Sequence, residues 1–177
     1  MSVGFGIMDP FATLGLARSF DVDLTAVERT HRELSRALHP DKYVSATASE
    51  RRAALSKAVE VNEAWRVVRD PIRRAEALLK LGGVAVGEDK EPAAAPEFLM
   101  DMLEQREELG EAKQARDIAR VRVMARVIAG RAEEAERDLA EGFARGDAAS
   151  LVGKLGELRF YRRFLDEVSA IEDELAA

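Results

Sequence analysis

The chain has no cysteine in its 177 residues. That absence removes a disulfide framework, a thiol nucleophile and any Cys-ligated metal or cluster. It suits a reducing compartment, so a cytoplasmic location is expected. No apolar run approaches the roughly 20 residues of a transmembrane helix, and no membrane partner is expected. Residues Met1 to Ile7 carry neither a basic region nor a long apolar stretch, so no secretory signal is expected there. The apolar–polar alternation of a β-strand is nearly absent, as are internal repeats and low-complexity tracts. His31 has no cysteine and no second nearby histidine to share a metal. The chain is therefore expected to hold no metal and no cofactor.

What is present is an ordinary globular composition, with 47% hydrophobic and 34% charged residues. The net charge of −6 is unevenly spread. Residues 1–80 carry 13 Lys+Arg against 11 Asp+Glu, and residues 81–177 carry 14 against 22. Two parts facing different partners are implied. The acidic second part argues against nucleic acid, whose phosphates need clustered cations.

Helical periodicity predicts an all-α fold. Asp9-Pro10 opens a short helix to about Leu16. Asp21-Val22-Asp23 caps a second, with Leu24, Val27, His31, Leu34 and Leu38 on its apolar stripe. Pro40 ends it, because the residue before a proline is pushed out of the helical region. A third helix is predicted over about Thr47–Arg69 with Leu55, Ala58, Val61, Ala64, Trp65 and Val68 inward. Asp70-Pro71 starts a fourth, Ile72–Leu81, which Gly82-Gly83 closes. Residues 83–96 read as a linker. Three longer helices follow, about Pro96–Gln114, Ala115–Arg145 and Asp147–Leu175. Their short connections predict a three-helix bundle. The middle stripe is Ile118, Val121, Ala125, Ile128, Ala132, Ala135 and Leu139. The last is Leu151, Leu155, Leu158, Leu165 and Val168. Gly130 interrupts the middle helix, for which close packing is the only reason at hand.

The most informative stretch is His39-Pro40-Asp41-Lys42, in the polar break between two helices. At 100° per residue, Arg29, Arg32 and Arg36 share one narrow sector of the second helix, opposite Leu34 and Leu38. Proline fixes φ and holds His39 and Asp41 in set directions. A cationic platform with a rigid polar tip suits docking on an acidic partner. A catalytic His39/Asp41 pair would also need a cleft, a nucleophile and an oxyanion site, and nothing here points to them. No catalytic residue is therefore assigned.

A short helix, a basic helix, His39-Pro40-Asp41-Lys42 and then Val61-Asn62-Glu63-Ala64-Trp65-Arg66-Val67-Val68-Arg69-Asp70-Pro71 resemble a J-domain. The resemblance implies docking on a DnaK-type ATPase chaperone and stimulation of its ATP hydrolysis. It implies electrostatic docking by Arg29, Arg32 and Arg36, with His39, Pro40, Asp41 and Lys42 at the contact. The ATP chemistry would be the partner's.

In the second part, Phe98, Met102 and Leu109 form one face of the fifth helix. Leu99, Met100 and Leu103 form another, continued by Glu104, Glu107 and Glu111. One set can be core; the other is expected to be an exposed apolar patch with an acidic rim, a protein-docking surface. Phe160 lies opposite the Leu151/Leu155/Leu158 stripe and is also expected to be exposed, with Phe164 near its direction. A J-domain followed by Arg73-Arg74-Ala75-Glu76-Ala77-Leu78-Leu79, then Phe98-Leu99-Met100 and Arg106-Glu107-Glu108-Leu109, resembles the HscB family of iron–sulfur cluster co-chaperones. That resemblance implies a J-domain over residues 1–82 and a client-binding bundle over 97–177. It implies an IscU-type scaffold bound by Leu99, Met100, Leu103, Glu104, Glu107, Glu111 and Phe160, and delivery to an HscA-type chaperone. His31 departs from the family, which usually has an aromatic or apolar residue there. The alternatives are a general J-protein for unfolded clients, or a helical enzyme using His39 and Asp41.

Overall fold

The computed structural model describes residues 8–87 and 94–176. The part of the predicted linker at 88–93, and the N-terminal residues 1–7 read for a signal, lie outside the described residues. The chain divides into two compact units between Ala85 and Val86. Among the described residues every element is helical, and no helix is long and apolar enough to cross a membrane.

The first unit holds α1 (Pro10–Thr13), α2 (Leu24–Ala37), a 3-10 turn at Pro40–Tyr43, α3 (Ala48–Arg69) and α4 (Pro71–Leu81). Each α-helix starts on a side-chain cap. Asp9, Asp23 and Asp70 accept first-turn N–H groups, and Thr47 with Glu50 forms a capping box. The Asp9 carboxyl is held below the usual carboxylate range. Burial pushes it up, but the Ala12 N–H, Arg18 and the Phe11 N–H together outweigh that. Helix α1 stops at Thr13, short of the predicted Leu16. The Leu16 N–H turns back to the Phe11 carbonyl at 2.8 Å, with Gly15 at φ +68°. That left-handed stop suits glycine.

Phe11, Leu14, Val27, Val61, Ala64 and Val68 form this unit's core. His31 sits at its edge. Its Nε2 lies 2.9 Å from Asn62 Oδ1, and its ring stacks on Trp65 at 5.2 Å. The hairpin of α2 and α3 is therefore held by a polar contact and a ring contact as well as by aliphatic packing. Two stripe residues are not core. Leu24 is exposed in the first turn of α2, and Leu55 is exposed, with Ala54 buried in its place. At 100° per residue Ala54 falls about 20° from buried Val61 around α3, and Leu55 about 120° away. Arg74 is buried, donating from Nη1 to the Val68 carbonyl at 2.7 Å and lying over the Phe20 ring at 4.7 Å.

The second unit is a three-helix bundle of α5 (Pro96–Gln114), α6 (Ile118–Arg145) and α7 (Leu151–Ala176). A 3-10 turn, Ala148–Ser150, precedes α7. The α7 core runs through Leu151, Val152, Leu155, Leu158, Tyr161, Phe164, Val168 and Ile171. Leu165 is only half-buried, and Phe164, placed near Phe160's outward direction by the sequence, is fully buried. The reason is that α7 packs against both α5 and α6, so its buried arc is wider than one stripe. On α6, Met124 joins the core, while Ile118, Ala125 and Ala132 are half-buried. Lys154 bridges α6 and α7, 3.1 Å from Asp138 and 2.8 Å from Glu157. Burial lowers its pKa, but the two carboxylates more than offset that and raise it.

Gly130 does not mark close packing. A Cβ there would meet nothing within 4 Å, whereas at Gly142 it would lie 2.3 Å from Leu151 Cδ2. Gly130→Ala is expected to stabilise the bundle by about 1 kcal/mol through helix propensity. Gly142→Ala displaces buried Leu151, an overpacking cost of about 1–3 kcal/mol that cancels the same gain. Denaturant midpoints of the two variants should therefore separate, with only Gly130→Ala above wild type.

Candidate functional site

The His39 turn is built by its proline. His39 has an extended backbone (φ −62°, ψ 135°), and Pro40 starts the 3-10 turn that follows. The Lys42 N–H closes it on the His39 carbonyl at 3.0 Å. His39 Nδ1 accepts from the Asp41 N–H at 3.4 Å and lies 3.5 Å from the Asp41 carboxylate. The two side chains remain 60% and 88% exposed. The tip is thus convex. The adjacent hollow, about 230 Å³, is apolar, lined by Leu38, Pro40, Tyr43, Arg51, Ala54, Leu55 and Ala58. It is not a cleft of titratable groups converging on His39.

Arg29, Arg32 and Arg36 share one shallow surface with Thr25 and Glu33, as their spacing predicts. All three are exposed. Arg32 pairs with Glu28 at 2.9 Å, an exposed i,i+4 contact of little energetic weight. Arg29 and Arg36 form no ion pair among the described residues. Their charge is available to a partner.

On α5 the two predicted faces separate. Met102 and Leu109 are buried and Phe98 half-buried. Leu99, Met100 and Leu103 are 42%, 65% and 58% exposed. Glu104, Glu107 and Glu111 are exposed on the same outward arc, about 140° wide. Among the described residues Glu104 and Glu107 form no ion pair, while Glu111 lies 3.3 Å from Arg120.

Phe160 is not fully exposed as predicted. It is half-buried, edge-on to Phe98 at 5.5 Å and covered by the Arg163 guanidinium at 4.6 Å. The contacts Arg106–Glu167 at 3.7 Å and Lys113–Glu174 at 2.7 Å show that α5 and α7 run parallel. This register sets Phe160 level with Phe98 and Leu99, so it borders the α5 patch. Spacing along one helix could not show that neighbourhood. Val123 and Val127 on α6, which lie off the predicted stripe of that helix, are 50% and 48% exposed. Among the described residues no group of His, Asp and Glu could hold a metal ion.

Known proteins share this architecture. Residues 94–169 match the family described as the HSCB C-terminal oligomerisation domain. A co-chaperone protein HscB homolog of Cupriavidus taiwanensis is 37% identical, covering 94% of this chain and 95% of its own. The solved structure of chaperone HscB from Vibrio cholerae matches with a TM-score of 0.84 and 28% identity, over 95% of this chain and 99% of that one. Human co-chaperone protein HscB shares the fold, with a TM-score of 0.86 at 22% identity over 97% and 86% of the two chains. The 37% identity to the Cupriavidus protein, sustained over nearly the full length of both proteins and carried on a shared helical fold, makes this chain a member of the HscB co-chaperone family.

Proposed function

We propose that the chain is a non-catalytic adaptor of iron–sulfur cluster assembly, working in the cytoplasm. Residues 97–177 bind an IscU-type scaffold protein through Leu99, Met100, Leu103, Glu104, Glu107, Glu111 and Phe160. Residues 1–82 dock on a DnaK/HscA-type chaperone through Arg29, Arg32, Arg36, His39, Pro40, Asp41 and Lys42, joined to the bundle by the 83–96 linker. Joint binding delivers the scaffold and accelerates the chaperone's ATP hydrolysis.

The observation that carries this reading is the exposed Leu99/Met100/Leu103 set on a helix whose opposite face buries Met102, Leu109 and Ala112. A contiguous apolar patch beside unpaired carboxylates is a surface for a basic-rimmed partner. The convex His39 turn beside unpaired arginines supports docking over chemistry. Steady-state ATPase of a purified HscA-type chaperone tests the reading. Chain and scaffold together should stimulate more than the sum of each alone. Stimulation indifferent to scaffold would instead favour a general J-protein, and no stimulation would exclude both.

The acidic rim yields a finer expectation. Arg120 already holds Glu111, so Glu107→Ala should weaken scaffold binding more than Glu111→Ala. A difference of a few-fold at low salt, shrinking at high salt, is expected for rim charges. Calorimetric titrations at two ionic strengths would show it.

A further inference from the structure

We infer that the scaffold-docking face does not end on α5 but crosses the α5–α6 seam to Val123 and Val127. The partner surface it fits is that of a folded protein presenting a cationic group between two apolar strips. This rests on the assignment of α5 as the scaffold-binding helix.

Among the described residues, the large exposed hydrophobics of the second unit are Leu99, Met100 and Leu103 on α5 and Val123 and Val127 on α6. None is on α7. Single exposed apolar residues are normal and need no explanation. Two at i,i+4 on the neighbouring helix form a second, short apolar strip.

Ion pairs fix where the valines lie. Arg131 pairs with Asp101, and Arg120 reaches Glu111 at 3.3 Å and Glu108 at 3.6 Å. Residue numbers rise on one helix as they fall on the other, so α5 and α6 are antiparallel. That register sets Val127 level with Glu104 and Val123 level with Glu108. Both valines project to the α5 side of α6, about 100–140° from buried Ile128 and in the same rotational sense as Arg120 and Arg131. They occupy the window between the two sets of cross-helix ion pairs.

Around α5 the order from the α7 side is Leu99, Leu103, Glu107, Met100, Glu111, Glu104, Glu108 and then the seam. Glu104 therefore stands between two apolar strips, with no ion pair of its own. A lysine or arginine placed there would neutralise it while its apolar neighbours bury the two strips. The strips and Glu104 lie on two helices held in fixed register, so they match a partner whose apolar and cationic groups are equally fixed in space, as on a folded surface.

The test is calorimetric titration of the full chain with purified IscU-type scaffold. A Val123→Ser/Val127→Ser variant is expected to bind about tenfold more weakly, as the loss of two half-buried methyl pairs implies. Its melting temperature and its sedimentation as a free protein should match wild type. If the valine variant binds like wild type while Leu99→Ala/Met100→Ala/Leu103→Ala loses affinity, the face stops at the α5–α6 seam and the inference falls alone. If wild type itself fails to bind scaffold, the α5 assignment falls and takes the inference with it. Unchanged scaffold affinity with altered sedimentation would give the valines to a second copy of this chain, which also overturns it.

Discussion

His39→Gln is expected to fold as wild type does and to lose stimulation of an HscA-type ATPase. The folding half follows from how little the side chain does within the molecule. Its contacts are a 3.4 Å bond from the Asp41 N–H and a 3.5 Å approach to the Asp41 carboxylate, both solvent-exposed. A substitution of that kind changes stability by no more than about 0.5 kcal/mol. The functional half follows from the rigidity of the turn. Pro40 starts the turn and the Lys42–His39 bond closes it, so the imidazole is presented in one direction before any partner arrives. A pre-set polar tip at the centre of an interface behaves as a hot spot, worth about 2 kcal/mol or more, roughly thirtyfold in affinity. Chaperone turnover should therefore stay near its basal rate at chain concentrations that half-saturate the wild-type effect. Scaffold affinity, measured on the same preparation, should not move. A variant that stimulates as well as wild type would end the docking role of this turn.

The second large effect is expected at the other end of the chain. Leu99→Ala/Met100→Ala/Leu103→Ala should weaken scaffold binding roughly a hundredfold without unfolding the bundle. Full burial of a Leu or Met side chain contributes about 1.5–3 kcal/mol. These three are already 42–65% exposed in the free protein. Each can still bury only part of that area against a partner, and neighbouring truncations are not additive, so about 3 kcal/mol in total is the reasonable sum. The same helix supplies its own control. Met102 and Leu109 are 4% and 0% exposed on the opposite face. Truncating either to alanine should cost about 2–5 kcal/mol of stability through the cavity left behind. Binding loss and stability loss should thus segregate by face along α5. Calorimetry paired with denaturant melts would reveal a patch that is merely structural, because the triple variant would then melt early and bind normally.

Much of this was legible from residue order because it is local chemistry. Asp9, Asp23, Thr47 and Asp70 cap helices with side chains two or three residues from the N–H groups they satisfy. Pro40 and Pro71 break the chain by their own ring geometry. The division of α5 into a packed face and an exposed face was also readable, since it needs only the helical period. Burial of Phe164 and the open space at Gly130 depend on neighbouring helices, which the spacing along one helix does not contain. Phe164 is buried because α7 has two neighbours, Leu55 is exposed because it lies about 120° around α3 from buried Val61, and Gly130 faces open space.

The sequence by itself determined the helices, their caps, the rigid His39 turn and the arginine face of α2, since each depends on atoms a few residues apart. Only the tertiary structure decided which side chains from different helices share a surface. The parallel register of α5 with α7 brings Phe160 beside Leu99, and the antiparallel register of α5 with α6 brings Val127 level with Glu104. Helical period fixes direction around one axis. It carries no information about the axial offset between two helices, and that offset is set by the core contacts that form when they pack.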